Sequence, residues 1–171
     1  MYFIPEIPNN SIKAKLEEIV RIANAAMKSY VYEEELLTFE FNPPASNDDI
    51  SKLEKTLKVE LDEEFKDFLR FSNGAVLCYN SAVFYNIDTI LSVSSQDKEK
   101  SFPEDYIILG EIIGDGEMLC YSKENHNYIS LFEGREKRFN TFSDCLNKII
   151  KRIRNKVGEH ADLWCLWFGD D

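Results

Sequence analysis

The sequence predicts an α+β fold in which helices pack on one mainly antiparallel β-sheet of four to six strands. Up to residue 74, apolar residues recur with the spacing of amphipathic helices. After residue 74 they recur near every second position, in short β-rich runs that polar turns separate. A last stretch with helical spacing begins near residue 141 and would close the domain.

Length and composition indicate one folded domain. The 171 residues are 44% hydrophobic, with 12 Phe, 8 Tyr and 2 Trp, so we expect one well-filled core. The single domain, residues 1–171, divides by pattern into three parts. These are an N-terminal arm and helix (1–35), a central part (40–153) and an apolar C-terminal tail (154–171).

The formal net charge of −11 argues against nucleic acid as a partner. Binding nucleic acid needs Lys and Arg side chains that displace counterions from the phosphates. A strongly acidic surface instead favours basic partners and speeds their capture. An acidic surface that serves only solubility explains the net charge equally well.

The sequence also predicts a soluble cytoplasmic protein. The N-terminus lacks the basic start of a signal peptide, and no apolar run is long enough to span a membrane. The four cysteines form no C-x-x-C pair, and each lies in an apolar run, as buried free thiols do in a reducing compartment. They are Cys78, Cys120, Cys145 and Cys165.

The first third of the chain predicts an extended arm, a helix and a short strand. Two prolines within the first eight residues disfavour helix there. Ser11 is a candidate N-cap for a helix whose apolar stripe starts at Ile12 and reaches Tyr30. Residues 36–41 then predict a short strand before two consecutive prolines.

Residues 43–74 predict two capped helices. Ser46, with Asp49 three residues on, forms a capping-box pattern that starts the first helix. Asp62 is a candidate N-cap for the second helix, with two glutamates in its first turn. The Asn73-Gly74 pair supplies a residue suited to a left-handed backbone at the end of the second helix.

The second half predicts a meander of strands and a closing helix. The Asp115-Gly116 step between two apolar runs is a strong hairpin signal. Thr141 and Asp144 repeat the capping-box pattern before the closing helix. The β-rich runs are residues 75–79, 82–93, 106–113, 117–122, 128–132 and 135–139.

The C-terminal tail is too apolar to extend freely into water. We expect it to fold back on the core or to cover an edge of the sheet, and an exposed binding patch is the alternative. Its large apolar residues are Leu163, Trp164, Leu166, Trp167 and Phe168.

Charge is unevenly distributed along the chain. Residues 33–67 carry twelve acidic and four basic side chains, whereas residues 134–156 carry eight basic and two acidic ones. Helix capping with a solvated face is one interpretation of the acidic excess, and a docking surface for a basic protein is the other. We define the acidic lobe as Glu33, Glu34, Glu35, Asp48, Asp49, Asp62, Glu63, Glu64 and Asp67.

The pattern from residue 44 to residue 74 resembles the SUKH superfamily, which joins fungal cell-wall regulators with bacterial toxin-immunity proteins. Two later stretches, 110–121 and 139–150, resemble the family's strand pair and its closing helix, so the family core would cover residues 40–153. Asp62 stands where the family typically has proline. The matching residues are Pro44, Ala45, Ile50, Leu53, Glu54, Leu57, Leu61, Glu64, Phe65, Lys66, Phe68, Leu69, Asn73 and Gly74.

The resemblance implies a SUKH-like fold and a protein that is not an enzyme and needs no cofactor. It implies an immunity protein that binds a cognate toxin, often a nuclease with a basic cleft, and blocks it stoichiometrically. The acidic lobe would then be the toxin-binding surface. A regulatory scaffold that binds cellular enzymes, as in the fungal branch, is the alternative that the resemblance implies. Neither implication sets an oligomeric state.

Tight binding would also need aromatic anchors at the docking surface. For each candidate, packing in the core is the competing interpretation. The candidates are Tyr30, Tyr32, Tyr79, Tyr85 and Trp167.

An enzyme or a metal site is the least favoured interpretation. Asp115 and Glu117 are close enough in sequence to act as an acid–base or metal pair, but Asp115 first serves the predicted turn. His126 and His160 lack the close, repeated spacing of zinc ligands, so no metal is expected.

Overall fold

The structure is a computed structural model that describes residues 3–28, 38–78, 81–95, 102–112 and 116–158. The Gly114-Asp115 part of the predicted hairpin turn lies outside these residues, as do His160 and Cys165. Most of the predicted C-terminal tail lies outside them too. Within the described ranges, no helix has both the length and the apolar character that crossing a bilayer requires.

Seven described strands form one antiparallel sheet in which every strand pairs with its neighbours in the sequence. The number exceeds the predicted four to six because the end segments at both edges pair fully with the strands beside them. The strands are β1 (Glu40–Phe41), β2 (Ala75–Leu77), β3 (Ala82–Phe84), β4 (Tyr106–Ile112), β5 (Glu117–Ser122), β6 (Asn127–Phe132) and β7 (Arg135–Phe139).

Five described helices accompany the sheet. The helices are α1 (Lys13–Lys28), α2 (Asn47–Leu57), α3 (Glu63–Phe71), α4 (Ile87–Ser95) and α5 (Phe142–Gly158). Four of them, α1, α2, α3 and α5, were predicted, and each carries its predicted cap or buries its predicted apolar stripe. The fifth, α4, was not predicted.

The prediction of strand throughout residues 82–93 was wrong, because α4 occupies most of that stretch. The Asn86 side chain accepts a hydrogen bond from the Thr89 backbone N–H (2.8 Å), and the Asn73 side chain accepts one from Ile87 (2.9 Å). These contacts satisfy amide groups at the start of the helix. Ile87 and Ile90 then face the core with helical spacing, although their β-branched side chains favour strands.

Three of the predicted caps are present, and one is replaced. The Ser46–Asp49 capping box is complete, Asp62 caps α3, and the Thr141 hydroxyl accepts a hydrogen bond from the Asp144 N–H (3.1 Å). Ser11 does not cap α1. Its neighbour Asn10 instead accepts the hydrogen bond from the Ile12 N–H (3.2 Å).

The main core lies between the helices and one face of the sheet, which we call the inner face. Its centre is a group of aromatic rings with centroids 4.5–5.5 Å apart, in which Phe68 contacts Phe84 and Phe142, and Phe142 also contacts Phe65 and Tyr128. These contacts fix α3 and α5 against β3 and β6, since edge-on aromatic pairs pack in a limited set of geometries.

A second, smaller apolar cluster lies on the opposite, outer face of the sheet. Successive residues of a strand point to opposite faces of the sheet. The cluster is therefore formed by strand residues that are next in sequence to inner-face residues. We call it the outer cluster, and it consists of Tyr106, Cys120 and Ile129, with Phe102, Ile108, Met118 and Leu131 packed around them.

The predicted burial of the cysteines is confirmed for the three described ones, which are free thiols. Cys145 and Cys78 belong to the main core, and Cys120 belongs to the outer cluster. Burial raises the pKa of the Cys78 thiol to about 11 and that of the Cys145 thiol to about 12, so both are protonated at neutral pH.

Candidate functional site

The acidic lobe is centred on α3, and its residues point in several directions. We describe each by the contacts that its carboxylate makes. Glu33, Glu34 and Glu35 lie outside the described residues, so this description covers the six from Asp48 to Asp67.

Asp62 stands at the N-terminus of α3 and serves the fold. One carboxylate oxygen accepts a hydrogen bond from the Phe65 N–H (3.1 Å), and the other accepts one from the Tyr128 hydroxyl of β6. Burial raises the pKa of this carboxyl above its usual value, and the Phe65 amide opposes that effect. Asp62 therefore links the start of α3 to the sheet at the position where the family typically has proline.

Glu64 connects α3 to the start of α5. Its two carboxylate oxygens accept hydrogen bonds from the Ser143 N–H (2.7 Å) and the Ser143 hydroxyl (2.8 Å). Since the first amides of a helix lack partners within the helix, Glu64 caps α5 from 79 residues away.

Asp67 is the most buried member of the lobe, with 7% of its surface exposed. Its carboxylate accepts a hydrogen bond from the Ser11 hydroxyl (2.9 Å) and pairs with Arg70 (3.0 Å). The hydroxyl predicted to cap α1 thus ties the N-terminal arm to α3. A docking surface formed by the whole acidic lobe would need each carboxylate to face outward, and this is wrong for Asp67. The half-buried Asp62 and Glu64 are also engaged internally.

Glu63 faces solvent, with 62% of its side chain exposed. It pairs with Lys66 (3.1 Å) and with Arg70, and the hydrogen bond from Arg70 holds the pKa of the Glu63 carboxyl below its usual value. Arg70 also donates a hydrogen bond to the Asn47 side chain (3.0 Å), which brings the first residue of α2 beside α3.

Asp48 and Asp49 are exposed in the first turn of α2. The hydrogen bonds from Ser46 lower the pKa of the Asp49 carboxyl, so it is ionised at neutral pH. The Asn47–Arg70 contact places the start of α2, which carries these two carboxylates, beside α3, which carries the exposed Glu63. We call these three residues the exposed acidic surface.

The link between α2 and α3 is held by a residue that the sequence analysis used only as a family match. The Glu54 carboxylate accepts a hydrogen bond from the Leu61 N–H (2.9 Å) and lies 3.7 Å from the Lys66 ammonium. Glu54 therefore fixes the separation of the two helices that carry the exposed acidic surface. Local spacing gives no signal for this contact, because its partner lies seven residues away.

The surroundings of Glu117 argue against a catalytic role for the Asp115–Glu117 pair. This carboxylate contacts Lys148, Ser130 and Arg152 between the sheet and α5. Partial burial acts to raise its pKa, but the hydrogen bonds from Lys148 and Ser130 outweigh that effect, so the pKa is lowered. A carboxylate held ionised in this way is a weak proton acceptor. The second carboxylate of the proposed pair, Asp115, lies outside the described residues.

No group of three potential ligands that could hold a metal ion is found among the described residues. His126 is exposed in the turn after β5, and its Nδ1 lies 3.2 Å from the Tyr121 hydroxyl. Of the aromatic anchor candidates, only Tyr85 is described. It is half-buried and donates a hydrogen bond to Glu111, away from the exposed acidic surface.

The basic excess of residues 134–156 is also largely engaged. Arg154 of α5 pairs with Glu18 of α1, and Lys148 and Arg152 pair with Glu117. These ion pairs hold α5 to α1 and to the sheet.

Comparison with known proteins identifies the family. The model of the SMI1 / KNR4 family (SUKH-1) matches residues 44–148, which is more than half of the chain.

The chain belongs to the SMI1 / KNR4 family (SUKH-1).

The match begins at Pro44, before α2, and ends within α5, so it includes all six described residues of the acidic lobe in this SUKH-1 domain. The SUKH resemblance seen in the sequence is confirmed. A search of the curated proteins found no match to the SUKH-1 chain.

Proposed function

We propose that this SUKH-1 protein is an immunity protein that binds a cognate toxin domain, of nuclease type, and neutralises it stoichiometrically. Membership of the family carries the proposal. It implies action through protein partners, with no chemistry or cofactor of the protein's own. The negative charge of the exposed acidic surface would attract a basic partner.

The toxin would dock on the exposed acidic surface, Asp48, Asp49 and Glu63, and we propose Glu33, Glu34 and Glu35 as further toxin-binding residues. Lys66 and Arg70 partly neutralise Glu63, and the charge of Lys52 acts on Asp49. Among the described residues Asp48 takes part in no ion pair, so it offers the strongest attraction to a basic cleft. Asp62, Glu64 and Asp67 contribute by holding α3 in place beneath that surface.

An acidic protein surface can occupy a nuclease cleft because it presents negative charge where the phosphates of the substrate would lie. Exposed charges of this kind act mainly on the association rate and on the choice of partner. Packed contacts elsewhere in the interface would supply most of the affinity.

The proposal is tested by producing the protein together with the toxin domain encoded beside it. We expect rescue of growth and a complex with one copy of each protein on gel filtration. Continued killing without a complex would rule out the immunity function.

The docking surface is tested separately with Asp48→Lys and the matched control Glu124→Lys, which changes an exposed carboxylate in the turn after β5. We expect the association rate constant at low salt to fall several-fold for Asp48→Lys and to stay near the original value for the control. Equal rates for the two variants would place the interface elsewhere, even if the complex forms.

A regulatory scaffold is the second candidate, since the SUKH superfamily that the chain resembles joins fungal cell-wall regulators with immunity proteins. A scaffold would retain several cellular enzymes in a pull-down and would not rescue cells from any toxin. Retention of a single toxin domain would instead favour the immunity function.

A further inference from the structure

The outer face of the sheet carries an apolar surface that the described helices do not cover. The outer cluster spans β4, β5 and β6, and none of the described helices contributes a side chain to it. Within it, Ile108 lies opposite Cys120, Cys120 opposite Ile129, and Met118 opposite Leu131.

The centre of this face is buried as deeply as the main core. Cys120 and Ile129 are 0% exposed and Tyr106 is 3% exposed, although they lie on a single layer of strands. Phe102 packs against Tyr106 with ring centroids 6.2 Å apart and supplies part of the cover. Burial to this depth at the middle of a sheet face requires a second layer of atoms above it.

The rim of the outer cluster is polar and already paired. The Tyr106 hydroxyl donates to Glu136 (2.6 Å) and accepts from Arg138 (3.1 Å), and Tyr85 donates to Glu111. An apolar centre within a satisfied polar rim is the usual anatomy of a docking surface. Such a surface suits an apolar, aromatic segment better than a charged one.

The chain contains one segment of this chemistry beyond the last described residue. α5 takes in the first part of the predicted tail and ends at Gly158, and we call residues 159–171 the terminal segment. The other segments outside the described residues fit less well. Residues 96–101 are hydrophilic, residues 113–115 are too few, and residues 29–37 join α1 to β1 at the far side of the sheet.

The terminal segment starts close enough to reach the outer cluster. Arg152 of α5 lies 3.6 Å from Glu117, the first residue of β5, and Gly158 lies about 9 Å further along the helix. The chain must then pass from the layer of α5 on one side of the sheet to a layer on the other side, about 20 Å in all, since packed layers lie about 10 Å apart. At up to about 3.5 Å per residue, Trp164 can lie about 21 Å from Gly158 and Phe168 about 35 Å, so the two tryptophans can reach the required distance.

We propose that the terminal segment docks on the outer face of the sheet and covers the outer cluster. Trp164 and Trp167 provide large rings for the apolar centre, where Met118 adapts its shape to aromatic neighbours. This proposal does not depend on the proposed function.

Tryptophan fluorescence of the full chain tests the contact directly, because Trp164 and Trp167 are its 2 tryptophans. We expect emission typical of buried indole in the original protein. Met118→Glu with Leu131→Glu should shift the emission to longer wavelength and raise acrylamide quenching several-fold. The control Leu57→Glu, which charges a half-buried residue of the main core on α2, should leave both unchanged.

Thiol alkylation, read for each cysteine by mass spectrometry, provides a second measurement. Replacing Trp164 and Trp167 by Gln in the full chain should raise the alkylation rate of Cys120 at least ten-fold. Cys145 lies in the main core and should remain unreactive. Its protection serves as the control that the variant is folded.

The proposal is wrong if the outer-face variants leave the emission unchanged, or if Cys120 stays as protected as Cys145 after the tryptophans are replaced. If dilution of the original protein, rather than replacement of the tryptophans, exposes Cys120, a second copy of the chain covers the face. If Cys120 reacts freely in the original protein and becomes protected only when a toxin is added, the outer face belongs to the partner.

Discussion

Asp67 is an acidic side chain whose position in the sequence suggests a surface role and whose contacts are internal. Its carboxylate binds Ser11 and Arg70 with 7% of its surface exposed, whereas Asp48, nineteen positions earlier, is exposed. Both residues belong to the acidic lobe and both lie on helices. What distinguishes them is burial and the partners that each carboxylate binds. By both criteria Asp67 is a structural carboxylate, and Asp48 is available for docking.

Asp67→Ala should lower the free energy of unfolding by about 2 kcal/mol, because Ser11 and Arg70 lose a charged partner in a buried position. Asp48→Ala should change it by less than about 0.5 kcal/mol, as exposed substitutions usually do. Urea unfolding followed by circular dichroism measures both. Similar losses for the two variants would mean that Asp67 is not a structural carboxylate.

At the scale of elements, β4 contains an irregularity that depends on one glycine. The register with β5 shifts between Ile108 and Gly110, and Gly110 lies directly against β3. A Cβ atom added there would lie 2.0 Å from the Val83 carbonyl oxygen, which is a backbone atom and cannot rotate away. The approach of β3 to β4 therefore requires glycine at this position.

Gly110→Ala should destabilise the protein by about 3 kcal/mol or more, because β3 and β4 must separate to admit the methyl group. The matched control is Gly116→Ala. Gly116 has φ +78° but open space around its Cβ, so only backbone strain of about 1–2 kcal/mol is expected. Thermal unfolding of the two variants compares the effects, and a smaller loss for Gly110→Ala than for Gly116→Ala would contradict the steric argument.

At the scale of the whole molecule, the Glu117 ion pairs join α5 to the sheet, and their contribution should depend on pH. The pKa of Glu117 is lowered in the folded protein, so the ionised form favours folding. This stability is fully present above the ordinary value of 4.5 and is lost as pH falls through the lower folded value.

Glu117→Gln should therefore be less stable than the original protein at pH 7, and the difference should shrink as the pH drops below 4.5. Urea unfolding at a series of pH values measures this. A difference that stays constant down to acid pH would show that the carboxylate charge is not what stabilises the contact.

The net charge of −11 should make the proposed association with a basic toxin dependent on salt. Raising the ionic strength from about 0.01 M to about 0.15 M shortens the screening length from about 30 Å to about 8 Å. We expect the association rate constant to fall at least ten-fold over this range, with a smaller change in the dissociation rate. Stopped-flow mixing measures both, and an association rate that is independent of salt would contradict electrostatic capture.

Local patterns in the sequence predicted the caps of α2, α3 and α5, because the residues that form a cap lie within three positions of each other. Period and turn residues likewise predicted the strands from β4 to β7. The α4 helix was missed because its isoleucines favour strand, and its start depends on Asn73, a residue brought near only by the fold.

Composition predicted which acidic residues form the candidate site, but it did not predict which of them face solvent. A glutamate that caps a distant helix and one that faces solvent have the same local signal. Glu64 and Ser143 are 79 positions apart, and no spacing rule connects them. Sequence therefore identified the acidic lobe as a set, and the structure separates the exposed acidic surface from the carboxylates that hold α3 in place.

The two ends of the sheet also bear on how the protein behaves at high concentration. Unpaired backbone groups on an outermost strand can recruit a strand of another molecule and start aggregation. β1 offers only two residues for such recruitment, and the first four residues of β7 are all exposed and charged, with the sequence Arg135-Glu136-Lys137-Arg138. Short length protects one end and charge protects the other, so we expect the protein to resist edge-to-edge association even when it is concentrated.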